Sequence, residues 1–196
     1  MQHIFYTDLT PMEYNQLNDL EDAVPRPESC LNPACKIPIP PKKHAFYERN
    51  CIDLECAIRI KIRRYYCPHC GMTFSYLPAF CLPYFQYSSR IIFLTLRCHF
   101  LKTLSFLIRL IEAHQLGLQR QHRQFYARRF RANLKRIQIV LRELIPGLLL
   151  PDDQDIEKGA QKVLRIIRRG FITIPTFSHR FFAQCNHSFM TPCNLF

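Results

Sequence analysis

The sequence predicts an α+β protein, with a short antiparallel hairpin in its first half and a mostly helical second half. Three patterns carry that expectation. Ile58, Ile60 and Ile62 alternate with Arg59, Lys61 and Arg63, the period of two that marks a half-buried strand. Tyr126, Phe130, Leu134, Ile137, Leu141 and Leu144 recur at three- and four-residue steps, the apolar stripe of a helix. The 196 residues are 48% hydrophobic, enough for one domain with a real core, or two small ones, and too apolar for global disorder.

Four segments follow along the chain: 1–29, 30–83, 84–150 and 151–196. The first is acidic, closes on Val24-Pro25-Arg26-Pro27, and reads as a poorly ordered arm or a short cap. In the second, a strand over 45–51 pairs with the better marked strand over 57–66, and prolines from Pro78 to Pro83 turn the chain into a connector. Ser88 or Ser89 is an acceptable N-cap for a helix running in one or two pieces to about His114. Leu116-Gly117-Leu118 is a turn, and a second helix spans 119–144 until Pro146-Gly147 stops it. A loop from Pro151 to Asp155 leads into a short basic helix over 156–169, and the aromatic tail beyond Gly170 receives no assignment. The apolar stretch 91–111 contains Arg97, Lys102 and Arg109. Each of the more central pair opposes insertion by roughly 2.5–3.5 kcal/mol, so a buried or amphipathic helix is expected and not a membrane span.

Charge is distributed unevenly around a net +12. Segment 1–29 holds six acids against Arg26 alone, whereas 57–142 holds sixteen Lys or Arg against the single acid Glu112. Such a block calls for a polyanionic partner, and double-stranded DNA comes before an anionic membrane surface.

The ten cysteines bear on the compartment as well as on chemistry. The start, Met1-Gln2-His3-Ile4-Phe5, soon turns acidic and has no basic stretch leading into an apolar run, so no export signal is expected. In a reducing cytosol, near the nucleoid for a DNA binder, paired cysteines read as metal ligands. Cys30/Cys35, Cys51/Cys56 and Cys67/Cys70 are all close enough in sequence to share a turn, and Cys67-Pro68-His69-Cys70-Gly71 has the Pro and Gly that shape a tight knuckle. If 57–66 is extended, Cys56 and Cys67 are separated by on the order of 36 Å at about 3.3 Å per residue. They cannot share an ion. Cys30, Cys35, Cys67 and Cys70 are therefore the expected ligands of one structural zinc, with His44, His69 and Cys81 as substitutes.

In the helical half, Gln124, Arg128, Arg131, Lys135, Gln138 and Arg142 form a face with no acid until Glu143. Leu116-Gly117-Leu118 feeding Gln119-Arg120-Gln121 has the form of a helix-turn-helix that presents its second helix to a major groove. Arg120, Arg123 and Gln124 would then lie near base edges, while Arg128, Arg131 and Lys135, with Arg59, Lys61 and Arg63 on the strand, would meet phosphates.

The run from Cys67 to Pro78, preceded by Arg63-Arg64-Tyr65-Tyr66 and followed by Leu82-Pro83-Tyr84 and Tyr87-Ser88, resembles the zinc ribbons at the front of bacterial insertion-sequence transposases and of small uncharacterised proteins related to them. With the Gly-centred turn, the resemblance covers roughly residues 30–145. It implies recognition of transposon ends or related DNA, by a regulator or an accessory protein.

A full transposase also needs well-separated carboxylates around two metals. Past the second helix, Asp152, Asp153, Asp155 and Glu157 sit together and read as a solvated linker and helix-start charges. His179, Cys185, His187 and Cys193 lack knuckle spacing. No enzyme is expected. Two other readings are a protein-interaction module, docking a partner through the ribbon and the aromatic tail, and an RNA binder stacking bases on Tyr65 and Tyr66.

Overall fold

The protein is described by a computed structural model covering residues 1–17, 20–35, 37–150 and 155–192. Its fold is α+β. The chain begins with strand β1 (Gln2–Phe5) and two short helices, α1 (Pro11–Asn15) and α2 (Leu20–Ala23). The hairpin follows as β2 (Lys42–Ile52) and β3 (Ala57–Tyr66), then β4 (Thr73–Pro78). These four strands form one mixed sheet in the order β1-β4-β3-β2, antiparallel except for the β1–β4 pair.

Segment 1–29 contributes to the core. Phe5, Tyr14 and Val24 are buried with Ile60, Ile62 and Leu77 of the sheet. Thr10 caps α1 by accepting from the Glu13 amide at 3.2 Å, and the Glu13 carboxylate accepts from the Thr10 amide at 2.7 Å. Tyr14 crosses to the sheet and donates its hydroxyl proton to the Lys61 carbonyl at 3.1 Å. β1 has only four residues, too few to show a period of two, and its place in the sheet comes from pairing with β4.

The expected alternation on β3 holds over most of its length. Ile60 and Ile62 are fully buried while Arg59 and Lys61 are exposed. The uniform cationic face ends there, because Arg63 is only 4% exposed and stacks on Phe46, its cross-strand partner, 3.9 Å from guanidinium carbon to ring centroid. Tyr65 is also buried and donates to the Val24 and Pro25 carbonyls at 3.3 and 3.2 Å. It has no free ring face for a base, and Tyr66 is half-buried beside His44.

Among the described residues the second half has five helices: α3 (Ser89–Phe100), α4 (Leu104–Ala113), α5 (Arg120–Leu144), α6 (Ile156–Gly170) and α7 (Ile174–Cys185). Ser88 caps α3, its hydroxyl oxygen accepting from the Ile91 amide at 3.1 Å. Lys102, in the left-handed region at φ 58°, breaks what would be one long helix into α3 and α4. On α5 the stripe of Tyr126, Phe130, Leu134, Ile137 and Leu141 is buried against α3, α6 and α7. Each such side chain contributes roughly 1.5–3 kcal/mol of burial.

The tail left unassigned by sequence forms α7. Thr173 accepts from the Thr176 amide at 3.2 Å, Pro175 fits the first turn, and Asn186 ends the helix at φ 55°. Phe177, Phe181 and Phe189 are fully buried in the chain's own core. Asn133 and Arg136 on α5 secure this end by donating to the carbonyls of Phe189 (3.1 Å) and Thr191 (2.9 Å) respectively.

The two halves lock together at the hairpin tip. The backbone of Ile52 accepts from the Ser88 amide and donates to the Gln86 carbonyl, both at 2.9 Å. The Asp53 carboxylate accepts from the Ser88 hydroxyl at 3.1 Å, and the Arg49 guanidinium donates to the carbonyls of Leu82 and Phe85. No helix among the described residues is long and apolar enough to cross a membrane.

A second junction joins β1 to α7, where the buried His3 ring packs edge-on between Phe74 and Phe182. Burial, with the nearby N-terminal charge, holds its pKa down at about 4. A base depressed in the folded state binds its proton more readily once unfolded, so stability falls as the pH drops through 6.5 towards 4. The expected loss is roughly 2–3 kcal/mol in urea unfolding over that window. In His3→Phe this part of the pH dependence should disappear. An unchanged slope in that variant would remove His3 as its cause.

Candidate metal centre

Each pair of cysteines at the open end of the hairpin is set by its own turn. In the second, the Gly71 amide donates to the Cys67 carbonyl and the Cys67 amide to the Met72 carbonyl, both at 2.9 Å. Gly71 takes φ 70°, a left-handed conformation that turns the chain from the knuckle into β4. In the first, Asn32 organises the wider loop. Its side-chain oxygen accepts from the Ala34 amide at 3.1 Å and its carbonyl from the Cys35 amide at 2.9 Å. The long sequence gap between Cys35 and Cys67 is filled by the β2–β3 hairpin, which leaves and returns to the same end.

The four expected cysteines come together. Cys30, Cys35, Cys67 and Cys70 have their sulfurs all within 4.8 Å of one another, close enough to hold a metal ion. Cys30 lies 3.7 Å from Cys70 and Cys35 lies 4.0 Å from Cys67, sulfur to sulfur. Four thiolates arranged tetrahedrally at about 2.3 Å from an ion stand about 3.8 Å apart, so the spacing fits. Tyr65 and Phe74 wall the cluster on its inner side.

Without an ion, Cys30, Cys35 and Cys70 hold their protons unevenly. Burial pushes Cys30 up to about 12 and also raises Cys35. Cys70 moves the other way, to about 7. Burial alone would raise it, and hydrogen bonds from the Met72 backbone, Asn32 and the Cys30 and Cys67 thiols outweigh that effect. A divalent ion displaces these protons and removes the unevenness, since only thiolates bind it.

The substitute ligands lie elsewhere. His44 and His69 are exposed, and Cys81 is buried in the core cluster that includes Cys51. The hydrogen bond to Cys81, with burial, raises the pKa of Cys51. Cys193, Asp152 and Asp153 lie outside the described residues. Asp155 caps α6, accepting from the Glu157 amide at 2.9 Å.

The cationic residues singled out from sequence are divided among three situations. Lys61, Arg120, Gln124, Arg128 and Lys135 are exposed, and Arg123 is half-buried. Arg59, also exposed, pairs with Glu48 at 3.3 Å. Arg131 is drawn inward, 2.6 Å from Glu157, 3.1 Å from His99 and over the Phe100 ring, while Arg63 is buried as described. Sequence reading passed over Asn32, although Asn-Pro ahead of a cysteine is itself a turn signal. It also gave Arg90 and Arg168 no role and read Arg97 only against a membrane span; the packing of α3 against α6 brings the three to one cavity.

Replacing Cys67 or Cys70 with Ser should lower the bound metal from one ion per chain to well below that and unfold the hairpin's open end. The same change at Cys51 or Cys56 should leave the metal in place. Elemental analysis with circular dichroism checks both. Two ions per chain, or a metal-free protein with its fold intact, would remove the assignment.

A family model described as a domain of unknown function, DUF6431, matches residues 32–105, a segment that contains the whole hairpin, three of the four clustered cysteines and α3. No curated protein and no solved structure matches the chain.

Proposed function

We propose that this chain is a DNA-binding protein of transposon descent, a regulator or transposase accessory protein. In this reading Cys30, Cys35, Cys67 and Cys70 hold one structural zinc in a ribbon. The observation that carries it is the polar stripe of α5. Arg120, Gln124, Arg128 and Lys135 succeed one another at helical spacing on a helix whose opposite stripe is fully buried. Such a stripe is self-repelling unless a polyanion neutralises it.

Support also comes from the corner between α4 and α5. Leu116 and Leu118 are buried and pin the turn, so the first residues of α5 stand out at a fixed angle. Arg120, Arg123 and Gln124 then serve as the readers of base edges in a helix-turn-helix, and Arg128 and Lys135 as phosphate contacts. Lys61 and Arg59 offer a second, smaller contact from the sheet. Arg63 is buried and Arg131, though partly exposed, is engaged by Glu157, so their guanidinium groups serve the fold. Zinc is the ion that four thiolates at this spacing suit in a protein without redox work.

Binding to duplex DNA is expected to weaken steeply with salt. If about six phosphates are neutralised, the slope of log K against log salt is near −5. Arg128→Glu combined with Lys135→Glu should lower affinity on every sequence and flatten that slope. Unchanged binding in the double variant would shift the surface to Arg59 and Lys61, and binding without salt dependence would sink the proposal.

The same reading makes the protein a binder without turnover. Zinc saturated by four thiolates has no open position for water, and the central basic block has Glu112 as its single acid. Supercoiled plasmid incubated with the protein and magnesium or manganese should remain intact. Nicking that vanishes in the Asp152/Asp153/Asp155-to-Ala variant would restore an enzyme.

A further inference from the structure

A cavity of about 520 Å³ opens where α3, α4, the α6–α7 corner and the segment before α1 meet. That volume lies within the range of small-molecule sites, about 300–1,000 Å³. Its composition is the unusual part. α3 presents Arg90, Phe93, Leu94 and Arg97 to it. Those residues fall at i, i+3, i+4 and i+7, so one stripe of the helix is cationic at both ends and apolar between. Phe106 from α4 faces the same space, and Arg168 reaches it from the end of α6.

None of the three guanidinium groups has an ion pair or a side-chain hydrogen bond among the described residues. Two acids share the lining, Asp8 and Asp53, and both are engaged elsewhere. Asp8 accepts from the Tyr6 hydroxyl. Asp53 is buried and accepts from the Leu54 amide at 2.8 Å and the Ser88 hydroxyl at 3.1 Å. The cavity therefore combines three unpaired forked donors with apolar and aromatic walls. Arginine forks match phosphate oxygens in pairs, and aromatic walls take a flat apolar body.

We infer that this cavity is a binding site for a small organic phosphate with an aromatic body, a nucleoside monophosphate in its simplest form, either free or at the end of a strand. The phosphate sits among Arg90, Arg97 and Arg168, and the base lies against the exposed ring of Phe106. This inference stands apart from the DNA surface on α5, which shares none of these residues. Failure of one leaves the other untouched.

The test is calorimetric titration of the full, metal-loaded chain at low salt with adenosine 5′-monophosphate. One site per chain is expected, with adenosine and inorganic phosphate each binding at least about tenfold more weakly. Arg97→Ala and Arg168→Ala should each weaken the nucleotide by about tenfold or more, while thermal melting and metal content stay unchanged. Phe106→Ala, at a half-exposed position, should weaken the nucleotide and leave phosphate alone. A 5′-phosphorylated oligonucleotide that displaces the nucleotide, when its unphosphorylated twin does not, identifies a strand end as the source. Lack of displacement identifies the free nucleotide. The site is refuted if the wild type binds no nucleotide, or if the Arg97/Arg168 double variant, folded and metal-loaded, binds it as tightly as before.

Discussion

A hairpin of ten- and eleven-residue strands spans over 30 Å at about 3.3 Å per residue, and such a ribbon is marginal alone. It must be held at both ends. At the open end four thiols converge and Tyr65 reaches back to the Val24 and Pro25 carbonyls. At the tip Arg49 and Asp53 grip the segment that leads into α3. The Ser88 hydroxyl that meets Asp53 is the one that caps α3, so one side-chain pair links the tip of the sheet directly to the start of the helical core. This explains why the acidic, the cysteine-bearing and the helical segments pack as neighbours in one fold.

Much of that plan was legible in the sequence wherever local chemistry and periodicity agree. β3 lies where the Ile/Arg alternation put it, α3 starts at Ser89 behind its Ser88 cap, and α5 follows its apolar stripe to within a residue at each end. The four clustered cysteines were also reached, by excluding the pair that an extended strand carries too far away. What escaped depends on partners distant in sequence. β1 and β4 are short and gain their identity from pairing, β1 with β4 and β4 also with β3. α7 was hidden because its aromatic richness masks periodicity, although Thr173 and Pro175 mark its start. Arg63 and Tyr65 continue an alternation that reads as solvent-facing. They are buried because Phe46 and the chain around Val24 cover that end of the strand, and nothing local to β3 announces it.

The arginines show why net charge overstates the cationic surface available to a partner. Arg49 and Arg136 serve as donors to backbone carbonyls left open by turns, Arg131 pairs with Glu157, and Arg63 stacks beneath a ring. A guanidinium is suited to such work because it keeps its charge when half-buried and carries five donors. Only those arginines whose forks stay unpaired in the fold can serve a ligand. Two groups of them stand out among the described residues: those of the α5 stripe and the three around the cavity beside α3.

That separation bears on what the metal centre can be for. An ion enclosed by four thiolates has neither an open coordination position nor a titrating water, so its contribution is to hold the hairpin's open end closed. The cationic stripe of α5 lies in the helical half and the cavity at its border with the sheet, reached from the thiols along the hairpin to the Asp53–Ser88 contact and through Phe74 and His3 to α7. Loss of the ion would therefore act on those surfaces indirectly, by freeing the hairpin and with it the grip on the start of α3. The cavity would feel that release sooner than α5, because Asp53 and Leu54 of the hairpin tip form part of its wall. The α5 stripe, by contrast, is backed by α3, α6 and α7 and keeps its footing in the helical core.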